Sequence, residues 1–133
     1  GKMMPRYTIK YLESQDGIHW PGHGRLVLDI TEADEHGFGR PWVLPNAEDG
    51  YTMYYSVRRK SFGAYRMGYA TSSDGLEWTR HDDRIGLDTG PDAYDANAIM
   101  YAAVLESGGA TYCYYNGNDF GRDGFAVAVR EEA

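Results

Sequence analysis

The chain has few groups that could hold a metal or form a cross-link. It contains one cysteine, Cys113, so no disulfide can form within the chain and a zinc site built on several thiolates is excluded. Cys113 lies in a strand-like aromatic run, where a small buried apolar residue is one interpretation and a nucleophile the other. The four histidines show no ligand spacing, and no phosphate loop or nucleophile elbow is present. The sequence therefore predicts no metal and no cofactor.

Positive charge and long apolar runs are also scarce. The formal net charge of −7 argues against nucleic acids and anionic membranes as partners, because both are negatively charged. Acidic sugar polymers would be repelled too, unless the few arginines cluster locally. No stretch approaches the roughly 18 apolar residues of a membrane-spanning helix, and the N-terminus lacks the apolar core of a signal peptide. We expect a cytoplasmic location, although a mature secreted chain would look the same.

Tyrosine, in contrast, is abundant, and it recurs in a repeated pattern. The 133 residues include 12 tyrosines, three tryptophans and four phenylalanines, which favour strands and surfaces that are apolar on one side and wet on the other. Residues 7–20 (YTIKYLESQDGIHW) and 65–78 (YRMGYATSSDGLEW) share six identities at an offset of 58. Residues 43–56 and 104–116 echo each other at an offset of 60 to 61. This self-similarity indicates an internal structural repeat.

Each repeat carries four strand signals separated by turn dipeptides such as Asp49-Gly50 and Asp74-Gly75, which favour tight hairpins. The strand signals of the complete repeat are Val43-Leu44, Tyr51 to Val57, Tyr65 to Thr71 and Trp78 to Arg80. The pattern predicts an all-β fold, a partial β-propeller of four-stranded antiparallel blades with a repeat of about 58 residues. Residues 1–133 then form one domain, with the end of one blade at 7–37, a complete blade at 38–83 and most of a third at 95–130.

The number of strands is itself informative. About nine strands are predicted, whereas a closed propeller of four or more blades needs at least about sixteen. Unpaired strand edges invite pairing with other strands. We therefore expect either a fragment of a longer propeller or a chain that completes its sheets by homo-oligomerisation.

Several segments carry a resemblance to a known group of proteins. They are Arg40-Pro41-Trp42-Val43-Leu44-Pro45, the run from Asp49 to Ser56, Tyr65 to Ala70, the Ser73-Asp74-Gly75 turn with Trp78, and Tyr115-Asn116-Gly117-Asn118 with Gly124-Phe125. From about Tyr7 to Val129 the chain resembles five-bladed propellers of the glycoside hydrolase family 43 and 32 superfamily, and more closely a bacterial glycosidase-like branch. It corresponds to their C-terminal part. The resemblance implies a carbohydrate-related role, but a fold alone does not establish catalysis.

The resemblance and the residue types together select a first group of candidate site residues near the RPW segment. Glycoside hydrolysis normally needs two carboxyl groups, and an acidic pair precedes RPW in the resembled proteins. This implies a catalytic role for Glu35 and a substrate-binding role for Asp34, with a solvated acidic loop as the alternative. Arg40 could fix a sugar or a partner acid with its guanidinium, or form a structural ion pair. Trp42 could stack on a sugar ring or pack an inner strand.

A second group lies in the segment Tyr94-Asp95-Ala96-Asn97. The resembled proteins often read W-D-S-E there, which implies a catalytic role for Asp95 and sugar contacts for Tyr94; a turn-capping role is the alternative for Asp95. Asn97 replaces the Glu that would serve as general acid. Because an amide cannot donate a proton usefully at neutral pH, this change argues against hydrolysis, yet Asn97 can hydrogen-bond a sugar hydroxyl. Asn116, in the N-G-N turn, is a further substrate-binding candidate.

Two functions of different classes follow from these observations. The first is a glycosidase-like propeller module that binds carbohydrate, with hydrolysis of glycosidic bonds left open. The second is a non-catalytic interaction or assembly module, or a truncated fragment, that completes its propeller by oligomerisation.

Overall fold

A computed structural model of the chain describes residues 3–91 and 94–131. In this part of the chain nine strands form three antiparallel sheets. The first sheet consists of β1 (Ile9–Tyr11) and β2 (Arg25–Leu28). The central sheet consists of β3 (Glu35–Pro45), β4 (Tyr51–Arg59), β5 (Ala64–Ser72) and β6 (Thr79–Arg80). The third sheet consists of β7 (Met100–Ser107), β8 (Ala110–Asn116) and β9 (Phe125–Glu131).

The structure confirms the all-β, antiparallel prediction. Strands that follow each other along the chain pair with each other, so the central sheet has the order β3-β4-β5-β6. The first strand of that sheet begins at Glu35, earlier than the apolar signal at Val43 suggests. A short 3-10 turn lies at Asp82–Arg84 and one helical turn, α1, at Asn118–Gly121. No helix among the described residues is long and apolar enough to cross a membrane.

The two S-x-D-G-x-x-W segments form turns with the same hydrogen bonds. In the turn before β6, Ser72 Oγ accepts from the backbone N–H of Gly75 at 2.8 Å, and Asp74 Oδ1 accepts from the next two backbone N–H groups at 2.8 Å each. Trp78 Nε1 donates to the Gly75 carbonyl at 2.9 Å. Equivalent bonds are made from Ser14 to Trp20. The motif therefore specifies a turn, and its tryptophans help to close that turn.

Two apolar cores separate the three sheets. Because side chains alternate across a strand, β4 places Met53, Tyr55 and Val57 towards the first sheet and Tyr54 towards the third. The core between the first and central sheets contains Ile9, Leu28, Phe38, Met53, Tyr55, Val57 and Ala70. The core between the central and third sheets contains Tyr54, Met67, Ile99, Ala102, Val104 and Tyr115. The two faces of the central sheet are therefore both buried, and they surround different candidate residues.

Candidate functional site

The first strands of the central and third sheets, β3 and β7, lie against each other. Trp42 Nε1 donates a hydrogen bond of 2.8 Å to the Val104 carbonyl, which ties the two strands together. Each strand is irregular there: β3 loses its register between Gly39 and Trp42, and β7 between Met100 and Ala103. Trp42 is still 40% exposed, so it links the sheets and also presents its ring to solvent.

Each irregularity holds one residue in the left-handed backbone region. Arg40 has a φ of 46° and Tyr101 a φ of 63°. Residues other than glycine adopt this region at a cost of about 1–2 kcal/mol. The Tyr101 backbone N–H donates to Ser56 Oγ at 2.8 Å, which anchors the irregular segment on β4. Such strain concentrates at functional sites, so this junction is the first place to look for one.

An aromatic cluster of Tyr65, Tyr101 and Phe120 lies at the junction. The ring centroids are 5.7 Å apart for Tyr65 and Tyr101, 6.2 Å for Tyr65 and Phe120, and 6.3 Å for Tyr101 and Phe120. The guanidinium carbon of Arg40 is 4.8 Å from the Tyr101 ring centroid, and that of Arg58 is 5.7 Å from the Tyr65 ring centroid. Phe120 is 59% exposed. The cluster thus offers aromatic surface flanked by two cations.

The segment before β7 holds the carboxylate of Asp95. Asp95 is buried, and Tyr115 donates to its Oδ2 at 2.9 Å. The Tyr115 hydroxyl also shares a 2.9 Å hydrogen bond with the Tyr94 hydroxyl. Burial and these two neighbours raise the pKa of Tyr115 above its usual range, so that its hydroxyl stays protonated and donates. The other oxygen, Asp95 Oδ1, is buried and has no hydrogen-bond partner among the described residues.

The turn between β8 and β9 holds this segment in place. Asn118 Oδ1 accepts from the backbone N–H groups of Asn97 and Ala98 at 2.9 and 3.0 Å, and the Asn118 N–H donates to the Tyr94 carbonyl at 2.7 Å. A Cβ on Gly117 would lie 2.2 Å from that same carbonyl oxygen, so no larger residue fits there. Asn97 itself is exposed, which leaves its side-chain amide facing solvent.

Two further contacts complete the connection between these segments. Arg66 Nη1 donates to the Asn97 carbonyl at 2.8 Å. Asn116 Nδ2 donates to the Phe120 carbonyl at 3.2 Å, within the turn where Asp119 and Phe120 both adopt positive φ. Asn116 therefore shapes the turn that presents Phe120, which is a supporting position beside the site.

Glu35 lies in a different environment, a buried ionic network on the opposite face of the central sheet. Its side chain is 0% exposed, and its Oε1 lies 2.5 Å from Arg80 Nη2 and 3.9 Å from Arg59 Nη2. Arg80 also pairs with Asp82 at 2.5 Å, and Glu35 Oε2 accepts from the Thr31 backbone N–H at 3.1 Å. Burial alone would raise the pKa of Glu35, but the hydrogen bonds from Arg80 and Thr31 outweigh it and lower that pKa.

Asp34 also makes local structural contacts. Its Oδ1 accepts from the Ser61 backbone N–H at 2.8 Å, and its Oδ2 from the Ser61 hydroxyl at 2.7 Å. These two hydrogen bonds lower the pKa of Asp34 and fasten the β4–β5 hairpin to the start of β3. Asp34 and Glu35 thus share no hydrogen bond or ion pair with Asp95 within residues 3–91 and 94–131.

The structure therefore divides the candidate residues into two groups. Around the β3–β7 junction lie Arg40, Trp42, Tyr94, Asp95, Asn97 and Asn116. Sequence reasoning missed four residues there: Tyr65, Tyr101, Phe120 and Arg58. One signal was available, because Tyr101 follows Arg40 by the offset of 61 seen between the two first strands. Within the described residues no group of three or more His, Cys, Asp or Glu side chains is placed to hold a metal ion.

Comparisons with solved structures bear on this arrangement. A protein described as "Glycoside hydrolase" matches with a TM-score of 0.74 and 22% sequence identity, over 93% of this chain and 36% of its own. A second structure, described as a complex of BT0996 and RGII, matches with a TM-score of 0.73 and 22% identity, over 92% and 35%. The protein has a glycoside-hydrolase-like fold. At this identity the likeness concerns the fold alone.

Sequence comparisons give relatives in one species. Uncharacterized protein Rv1502 and Uncharacterized protein MT1551, both of Mycobacterium tuberculosis, are each 35% identical over 125 residues, or 94% of this chain. The chain spans about 40% of the length of these relatives. No model of a known protein family matches the chain.

Proposed function

We propose that the protein is a glycosidase-like β-propeller module that binds carbohydrate at the β3–β7 junction. The observation that carries this proposal is an exposed aromatic cluster, flanked by arginines, at the junction of two sheets in a glycoside-hydrolase-like fold. In a propeller the first strands of successive blades line the central axis, and the contact between β3 and β7 agrees with that arrangement. The three sheets would then be successive blades of the proposed repeat.

Carbohydrate would bind there through two kinds of contact. Sugar rings have apolar C–H faces that pack on aromatic rings, and the rings of Phe120 and Trp42 are substantially exposed. Hydroxyl groups need hydrogen-bond partners at defined positions, and the exposed amide of Asn97 and the guanidinium of Arg40 supply them. The left-handed backbone at Arg40 and Tyr101 directs both side chains towards the same ligand.

Hydrolysis would depend on Asp95. A glycosidase needs a second carboxyl group across the scissile bond, and the position that the resemblance assigns to it carries Asn97. Glu35, the other catalytic candidate, has both carboxylate oxygens engaged on the far face of the central sheet, and these contacts favour a structural role. We therefore place binding first and keep Asp95 as the catalytic candidate.

A pair of phenylalanine variants tests the binding proposal. The purified protein is titrated with neutral and acidic oligosaccharides by calorimetry, together with Phe120→Ala and the control Phe125→Ala, whose ring is 72% exposed on β9 outside the aromatic cluster. We expect wild-type binding that weakens about tenfold or more in Phe120→Ala, a loss of at least roughly 1.4 kcal/mol, and is unchanged in Phe125→Ala. Equal losses in both variants, or no binding to any sugar, would count against the site.

A second candidate function, assembly, has an observation of its own. One face of the third sheet is apolar and exposed: Leu105, Tyr114, Phe125, Val127 and Val129 are each at least 37% exposed. We infer that a second copy of the chain covers this face, as the predicted homo-oligomer requires. Light scattering should then give a mass above the 14.9 kDa of one chain, and Val127→Lys should return it to the monomer. A folded wild-type monomer at high concentration would exclude this assembly.

A further inference from the structure

The charges around the aromatic cluster differ from those of the rest of the chain. The protein has a formal net charge of −7, and six other arginines each pair with a carboxylate: Arg6, Arg25, Arg59, Arg66, Arg80 and Arg122. Neither Arg40 nor Arg58 forms an ion pair with any described residue. In an acidic protein, two neighbouring unpaired guanidinium groups form a local positive site in an otherwise repulsive field.

The two arginines are held in position by the rings beneath them. Arg40 lies over Tyr101 at 4.8 Å and Arg58 over Tyr65 at 5.7 Å, and the two rings are in contact at 5.7 Å. A guanidinium stacked on a ring keeps its N–H groups free at the edge. Arg40 is exposed and Arg58 partly so, so these donors are open to a ligand that rests on the exposed Phe120 ring.

The backbone gives independent support for a ligand role of Arg40. A φ of 46° favours glycine, which would satisfy the irregular turn in β3 without strain. No acidic partner among the described residues accounts for a charged side chain at this strained position. The inference from an observed backbone outlier to function is the one that such positions support.

We propose that the ligand of this site is a sugar that carries a carboxylate, a uronic acid unit. The inference rests on the proposed carbohydrate-binding function and specifies its substrate class. A carboxylate accepts two parallel N–H bonds from one guanidinium; Arg40 makes this pair, Arg58 supplies the second positive charge, and the sugar ring packs on the aromatic cluster. The acidic surface elsewhere then disfavours acidic polymers at any other place.

The test compares matched sugars. The purified protein is titrated with an oligouronide, with the carboxyl-reduced neutral oligosaccharide of the same linkage, and with a sulfated oligosaccharide, at low and high salt. We expect the oligouronide to bind at least tenfold more tightly than the other two and to weaken as salt rises. Equal binding of the oligouronide and its reduced form overturns the carboxylate assignment while the carbohydrate function stands. Preference for the sulfated sugar also overturns it, and no binding of any sugar overturns both.

Variants localise the effect to the two arginines. Arg40→Gln and Arg58→Gln should each weaken oligouronide binding at least tenfold and leave binding of the reduced sugar unchanged. Arg40→Lys should restore only part of the loss, because an ammonium makes no bidentate pair. Arg25→Gln makes the same charge change at an exposed arginine outside the aromatic cluster and serves as control. If Arg25→Gln weakens binding as much as Arg40→Gln, only net charge matters and the site assignment fails.

Discussion

The substitution Glu35→Gln separates a structural role of this residue from a catalytic one. The Glu35 side chain is fully buried and ion-paired with Arg80, and its Oε2 accepts a backbone N–H from Thr31. Glutamine keeps the size but removes the charge. Its amide also turns two donors towards groups that are themselves donors. The ionic network on the first-sheet side of the central sheet should therefore lose much of its stabilisation.

The magnitude follows from the buried network. Removing one partner of a buried ion pair costs about 3–5 kcal/mol, and because Arg80 keeps Asp82 as a partner at 2.5 Å, we expect the lower end, about 3 kcal/mol. With an unfolding entropy of about 2.1 cal/mol/K per residue over this chain, that loss lowers Tm by roughly 10 °C. Urea unfolding followed by tryptophan fluorescence measures the free energy directly, and Glu48→Gln on an exposed loop is the matched control.

The pH dependence gives a second readout of the same network. The folded-state pKa of Glu35 is lowered, so the stability it contributes is fully present above the ordinary pKa of a glutamate, about 4.3, and is lost as pH falls through the folded-state pKa. Wild type should therefore lose stability more steeply than Glu35→Gln below about pH 4.3. If Glu35→Gln unfolds within about 1 kcal/mol of wild type while glycoside hydrolysis disappears, the structural assignment is refuted and Glu35 is catalytic.

Three further predictions concern the site and the single thiol. Gly117→Ala would place a Cβ 2.2 Å from the Tyr94 carbonyl oxygen, so it should destabilise the protein by about 2 kcal/mol or more in urea unfolding; an unchanged midpoint would contradict the tight turn. Asp95→Asn keeps an acceptor for Tyr115, so stability should change by less than about 1 kcal/mol while any glycoside hydrolysis falls by roughly 100-fold or more; unchanged turnover would remove Asp95 from catalysis. Burial raises the pKa of Cys113 to about 11, so iodoacetamide should react slowly at pH 8 and faster towards pH 10; rapid reaction at neutral pH would show an accessible, activated thiol.

Much of the strand pattern could be predicted because it is encoded locally. Alternating aromatic residues and Asp-Gly turns are short-range signals, and the segments 51–57 and 65–71 lie within β4 and β5. The S-x-D-G-x-x-W turn is also local: all of its hydrogen bonds lie within seven residues. The propeller and the 58-residue repeat stay predictions, since the described residues form three sheets and no closed ring of blades is established.

The site was less accessible to sequence reasoning because it depends on contacts between distant segments. Glu35 finds its partner Arg80 45 residues later, and nothing near Glu35 distinguishes an acid in a solvated run from one in a buried network. Tyr101 reaches Arg40 only because both first strands become irregular at matching places. A register shift of this kind has no clear signal in a single sequence, and the cluster of Tyr65, Tyr101 and Phe120 was missed for the same reason.

A ligand titration followed by two-dimensional NMR tests the central claim most directly. The chain of 14.9 kDa suits amide chemical-shift mapping, and an oligouronide is the first ligand to add. Carbohydrate binding at the β3–β7 junction predicts that the largest shifts concentrate at Arg40, at residues 97–101 and at residues 117–121. Shifts confined to other surfaces, such as the groove lined by Tyr51 and Trp78, or no shifts with any sugar tested, would contradict the account.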